Sequence, residues 1–175
     1  MTWRLLDRIT EVTTPWIELV GERWLDDTGK ALDYWRVVAA DSVIVVTEHA
    51  GSFLLPEPSF RPGVGRRTLD FPGGRLARDA DARATAHAVL ARELGVREDG
   101  VVEMLPLTSA PLEVNSSASN QRLHGFIARL DPGLDRTLLL PHRAYSAKEP
   151  AELLAELSCL QCRALLLEAL RQAKP

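Results

Sequence analysis

Five arginines, Arg61, Arg66, Arg67, Arg75 and Arg78, cluster around the tripeptide Pro72-Gly73-Gly74, just ahead of a helix-forming run from Asp81 to Leu94. Guanidinium forks match the oxygen geometry of phosphate, so the cluster is a candidate anion site; a solvated charged loop is the plainer alternative. Further along, Val89, Arg92 and Glu93 stand at i, i+3 and i+4 and would project from one helix face. Magnesium-assisted chemistry on a phosphate needs several hard oxygen ligands converging there, and only Glu93 supplies a carboxylate. Arg92 places a cation on the same face, which repels a metal at close range. Asp79 and Asp81 are nearby carboxylates, yet both suit a helix start, with Asp81 as N-cap. His87 and His124 are bases by chemistry alone and read as ordinary polar surface residues. Gly63-Val64-Gly65 is too short for a dinucleotide fingerprint, and no lysine follows as a P-loop requires.

Cys159-Leu160-Gln161-Cys162 invites a zinc or redox reading. The chain has no second cysteine pair to complete a four-ligand structural site, and the motif lies among Leu157, Leu160, Leu165 and Leu166. It therefore reads as part of a core-facing helix, with free cysteine acting as a small hydrophobe.

These residues need elements to hold them. Ile17 to Leu25 and Leu32 to Ala39 read as strands joined by Asp26-Asp27-Thr28-Gly29, a hairpin turn composition. Ser42 to Thr47 is a β-branched run suited to a buried strand, and Ala50-Gly51 turns the chain into Ser52 to Leu55. Proline and glycine density from Pro56 to Gly65 predicts a loop without regular structure, followed by a short strand, Thr68 to Phe71, and a turn at Pro72 to Gly74. Ala82, Ala86, Leu90 and Leu94 form the apolar stripe of a helix that Gly95 ends. Val101 to Leu107 and Arg122 to Leu130 read as strands around a flexible polar loop, Asn115 to Asn120; Glu149 to Leu157 and Leu160 to Arg171 read as helices.

The stretch from Gly74 to Val96 resembles the box of the Nudix hydrolase family. That pattern is Gly, five residues, Glu, seven residues, Arg-Glu, an apolar residue, one residue, Glu-Glu, one residue, Gly and an apolar residue. Gly74, Leu90, Glu93, Gly95 and Val96 match without a gap; Ala80, Ala88, Val89 and Arg92 depart from it. The run from Pro15 to Val46, and Arg61 followed by Leu69-Asp70-Phe71-Pro72-Gly73-Gly74, are similar to the branch that hydrolyses ADP-ribose and nucleotide sugars. The resemblance implies an α/β fold, an α/β/α sandwich with a mixed sheet, in a single domain whose core spans residues 41 to 145. It also implies a homodimer through the hairpin within residues 1 to 40, where Trp3, Trp16, Trp24 and Trp35 lie. Glu93 is the catalytic candidate, Gly73 and Glu93 are the metal-ligand candidates, and Arg61, Arg66, Arg75, Arg92 and Gln121 are the substrate-binding candidates. Gln121 stands where relatives carry a Glu and cannot take a proton. The expected ligand is a nucleoside diphosphate derivative or related phosphorylated small molecule, with magnesium or manganese held weakly or not used, and metal-dependent hydrolysis impaired or lost. The alternatives are an active pyrophosphohydrolase with a reduced site, drawing on Glu93, Asp79 or Asp81, and a non-catalytic dimerisation module. If the scaffold is intact, Ala80→Glu, Val89→Glu and Arg92→Glu together are expected to create metal affinity.

With 175 residues, 46% of them hydrophobic, the chain can bury one sizeable core. A net charge of -3 and pI near 5.8 give no broad basic field, so neither nucleic acid nor an anionic membrane is an expected partner. No apolar run reaches a membrane span and the N-terminus lacks a signal-peptide core, so the expected location is the cytoplasm.

Overall fold

The computed structural model describes residues 2–173. They form two compact units, one comprising the chain up to Asp41 together with Glu113–Arg122, the other Ser42–Leu112 together with the chain from Leu123 onward.

The first unit is an antiparallel meander of β1 (Arg4–Thr13), β2 (Ile17–Leu25) and β3 (Ala31–Ala39). The expected hairpin is present. Asp26 Oδ1 accepts from the Thr28 and Lys30 backbone N–H groups at 2.8 and 2.9 Å, and Gly29 takes φ 86°, the left-handed backbone such a turn requires. β1 is an addition to the sequence reading. The segment from 115 to 120, expected to be flexible, is instead fastened to β3. Val37 donates to the Ala118 carbonyl at 2.8 Å, Ala39 N–H donates to Asn120 Oδ1 at 2.9 Å, and the Tyr34 hydroxyl donates to the Ser117 carbonyl. One face of the meander shows Val12, Ile17, Leu19 and Trp35 to solvent. The Trp35 ring lies across Gly21, where any Cβ would come within 3.0 Å of two indole carbons. The opposite face buries Glu22, gripped by Arg36 through two hydrogen bonds of 2.9 Å.

The remaining strands are β4 (Ser42–His49), β5 (Ser52–Pro56), β6 (Ser59–Arg61), β7 (Arg66–Thr68), β8 (Gly73–Arg75), β9 (Val101–Pro106), β10 (Leu112–Glu113), β11 (Arg122–Leu130) and β12 (His142–Ser146). The helices are α1 (Ala82–Leu94), α2 (Ala151–Glu156) and α3 (Leu160–Gln172). The main sheet runs β10-β11-β4-β5-β12, with β8 against β4 and β9 against β11. β4 and β11 are parallel while the β5, β8, β9 and β12 pairings are antiparallel, so the sheet is mixed.

Alternation along β4 assigns the two helical layers. Val43 and Val45 pack with Ala86, Leu90 and Leu94 of α1 in one core cluster. Ile44 lies on the other face and pairs in register with Gly125 of β11. A Cβ on Gly125 would sit 2.2 Å from Leu165 Cδ2, so this glycine is what lets α3 lie directly on the sheet. The result is an α/β/α sandwich. α1 starts as expected, with Asp81 Oδ1 accepting from Ala84 N at 2.7 Å, and ends at Gly95 with φ 73°.

Three local expectations change. The stretch from Pro56 to Gly65 is not irregular throughout: Ser59–Arg61 pairs with Arg66–Thr68, and Gly65 at φ 65° closes the turn between them. The strand expected at Thr68 to Phe71 lies earlier, as β7. Pro72-Gly73-Gly74 is not a turn, because Gly73 and Gly74 are extended in β8 and pair with Ile44 and Val43. Their lack of side chains serves packing: a Cβ at Gly74 would meet Val89 Cγ2 at 3.1 Å, and one at Gly73 would meet Ile44 Cγ1 at 3.2 Å. No helix among the described residues is long and apolar enough to cross a membrane.

Candidate functional site

β8 lies between β4 and the C-terminal end of α1, and this places the expected site residues. The Gly73 N–H donates to Glu93 Oε2 at 3.1 Å. Arg92 Nη2 donates to the Gly73 carbonyl at 2.8 Å and to Glu93 Oε1 at 2.6 Å. Gly73, Arg92 and Glu93 are thus brought together, as a closed hydrogen-bonded triangle. Val89 is on the same side of the helix but buried, 1% exposed, with its Cγ2 packed over Gly74 of β8 beside the Arg92 guanidinium. Ala80 is in the exposed loop ahead of the helix, beside Asp79 at φ 63°.

A divalent cation at the helix face would need Gly73 O, Glu93 and further carboxylates. The carbonyl and one Glu93 oxygen already accept from a guanidinium, position 89 is apolar and buried, and Arg92 is itself cationic. These residues do not fit a hexacoordinate magnesium ion.

Next to this triangle is a cavity of about 520 Å³, within the range of small-ligand sites. Ser42, Val43 and Ile44 of β4 line it with β8, and three of the expected arginines, Arg61, Arg66 and Arg75, line it as well. Of the remaining two, Arg67 donates to the Pro58 carbonyl and Arg78 is an exposed loop residue outside the lining. Gln121 belongs to the first unit, where its Nε2 donates to the Ala40 carbonyl at 3.0 Å. His87 and His124 are half-buried and do not line the cavity.

The sequence reading missed the other wall. Asp70, between β7 and β8, accepts on Oδ2 from Arg61 Nε at 3.0 Å and from the Thr68 hydroxyl at 2.8 Å. Beside it are Ser158, Cys159, Gln161 and Cys162. The cysteines are not both within a continuous helix. The chain leaves α2 at Leu157, and Cys159 is the N-cap residue of α3, half-buried at the cavity, while Cys162 is buried one turn in. The core-helix expectation holds for Cys162 only. The neighbouring Cys162 thiol and, secondarily, the N–H groups at the start of α3 bring the Cys159 pKa down to about 6, against the opposing effects of burial and the Asp70 charge. Cys162 is pushed up by the same contact and by burial. The signal in the sequence was Cys-x-x-Cys itself, preceded by Ser158.

No protein-family profile matches the chain, and no curated protein matches it. Among solved structures, a protein described as an ADP compounds hydrolase superposes with a TM-score of 0.79, covering 98% of this chain and 94% of its own, at 15% identity. That likeness concerns the fold. The mixed sheet between helices that the Nudix resemblance implies is the architecture the chain adopts.

Proposed function

We propose that the chain binds a nucleoside diphosphate derivative, or a related phosphorylated small molecule, in the cavity lined by Arg61, Arg66 and Arg75, with magnesium-dependent hydrolysis impaired or lost. The observation that carries this reading is Arg92 bonded to both Gly73 O and Glu93, which puts a fixed cation where the metal of a Nudix hydrolase is expected. The arginines supply phosphate donors, the β4 residues supply an apolar floor, and the fold is shared with a hydrolase of ADP compounds. Calorimetric titration with ADP-ribose and nucleotide sugars, with and without magnesium, tests it. Binding is expected without the metal, weakened about tenfold by Arg66→Ala or Arg75→Ala. Turnover is expected below about 1 per second, the lower end of ordinary enzymes.

A second reading, an active enzyme with a reduced site, has one observation in its favour. Glu93 and Asp70 share a smaller cavity of about 230 Å³ with Arg61. Robust hydrolysis abolished by Glu93→Gln would establish that reading in place of the first.

We also propose that the chain is a homodimer through the exposed face of the β1–β3 meander. Trp35 is 51% exposed and shares that face with Val12, Ile17 and Leu19, an aromatic and aliphatic patch of the kind enriched at interfaces. Sedimentation is expected to give a dimer at micromolar concentration and a monomer for Trp35→Glu. A parent chain that stays monomeric throughout that range would remove the proposal.

A further inference from the structure

We propose that Asp70, Cys159 and Cys162 form a site for one thiophilic divalent cation of the zinc class, with its fourth coordination position open to the cavity. One carboxylate oxygen and the two sulfur atoms lie within 4.8 Å of one another. Tetrahedral zinc, with bonds of about 2.3 Å to sulfur and 2.0–2.2 Å to oxygen, needs its ligands roughly 3.5–3.8 Å apart. The cluster is therefore within about 1 Å of closing on an ion. The i, i+3 spacing at the start of α3 turns both cysteines to one side, and Asp70 meets them from the loop before β8.

The surroundings favour the site. Thr68 and Arg61 both donate to Asp70 Oδ2, orienting the carboxylate as second-layer partners of a metal ligand do. Two thiolates and a carboxylate around a dication leave one net negative charge, and Arg61 neutralises it. Two sulfurs and one oxygen select a borderline-soft metal over magnesium, which demands oxygen. Both cysteines line the cavity, so water or an anionic oxygen can take the fourth position. Both cysteines would bind as thiolates, so affinity should fall as pH is lowered. The inference stands on this cluster and does not depend on the nucleotide reading.

The experiment is a cobalt(II) and zinc titration of the full chain, stripped of metal and kept reduced by a phosphine. One equivalent of cobalt should bind, giving a thiolate-to-cobalt charge-transfer band and the intense visible bands of a tetrahedral ion. Zinc should displace it, excess magnesium should not, and affinity should weaken as pH is lowered. Cys159→Ser and Cys162→Ser should each lower zinc affinity by more than the roughly 10–100-fold typical of second-layer changes. Asp70→Asn should keep the charge-transfer band with weaker binding. Cys159→Ser replaces a half-buried residue, so the test survives if Cys162→Ser fails to fold. Absence of a stoichiometric cobalt spectrum while both thiols titrate as free would overturn the proposal. So would zinc affinity unchanged in Cys159→Ser, or a Cys159–Cys162 disulfide that persists in the phosphine and excludes the metal.

Discussion

Val89→Glu should destabilise the second unit by more than about 3 kcal/mol, the scale of burying an unpaired charge, instead of supplying a metal ligand. Val89 is 1% exposed and its Cγ2 fills the space above Gly74. Arg92, three residues on, already donates to Gly73 O and Glu93 Oε1. At roughly 2–4 °C per kcal/mol for a chain of this size, the melting temperature should fall by about 6–12 °C or more. Arg92→Glu should behave differently. Its side chain is 58% exposed, and exposed ion pairs contribute only about 0–1 kcal/mol. The expectation that Ala80→Glu, Val89→Glu and Arg92→Glu together rebuild a metal site therefore needs revision: the triple variant should fail through position 89, while Ala80→Glu with Arg92→Glu should fold. Thermal denaturation followed by far-UV circular dichroism checks each variant. A Val89→Glu melting point within about 2 °C of the parent would mean that residue 89 can turn to the surface, and would return restoration to the table.

What the sequence disclosed follows from how local each signal is. The caps of α1 at Asp81 and Gly95 and the β-branched run of β4 were legible because a few neighbouring residues determine them. β1 was not, because register shifts between Leu5 and Asp7 and between Arg8 and Thr10 break the two-residue alternation that marks a strand. Gly73 and Gly74 were read as a turn because glycine usually signals positive φ; here it signals close approach, a property of β4 and α1 more than of the dipeptide itself. The leucine-rich C-terminus showed two helices separated near residue 158, yet Cys-x-x-Cys was read as one helical turn, which missed the placement of Cys159 at a helix start. Asp70 and the cysteines are far apart in the chain, and only the packing of α3 on the sheet brings them together. The arginine cluster was visible as composition; which three of the five line the cavity was not.

Glu22 should make the stability of the first unit strongly dependent on acid pH. Its side chain is 1% exposed, and it accepts from Arg36 Nε and Nη2 at 2.9 Å, from Trp24 Nε1 at 3.2 Å and from Arg8 Nη2 at 3.3 Å. The Arg36 hydrogen bonds lead in holding its pKa below the ordinary 4.5, against the opposing effect of burial. Arg8 is shared with Glu11, and Glu18 acts on Arg36 from the same strand as Glu22. A carboxylate with a depressed folded-state pKa binds a proton more readily when unfolded. Its stabilisation is therefore fully present above the unfolded value near 4.5 and is lost as pH falls through the lower folded value. Glu22→Gln removes the charge at every pH and leaves Arg36 poorly paired, so it should cost about 2–4 kcal/mol at neutral pH, somewhat less than the roughly 3–5 kcal/mol of breaking a fully buried pair because Arg36 is 31% exposed. The difference between parent and variant should shrink as pH drops below 4.5. The readout is specific, since all four tryptophans of the chain, Trp3, Trp16, Trp24 and Trp35, lie in this unit. Urea unfolding followed by tryptophan fluorescence across acid pH measures it directly. A Glu22→Gln variant as stable as the parent at neutral pH, or a gap that does not narrow on acidification, would show that the pair orders the meander without stabilising it.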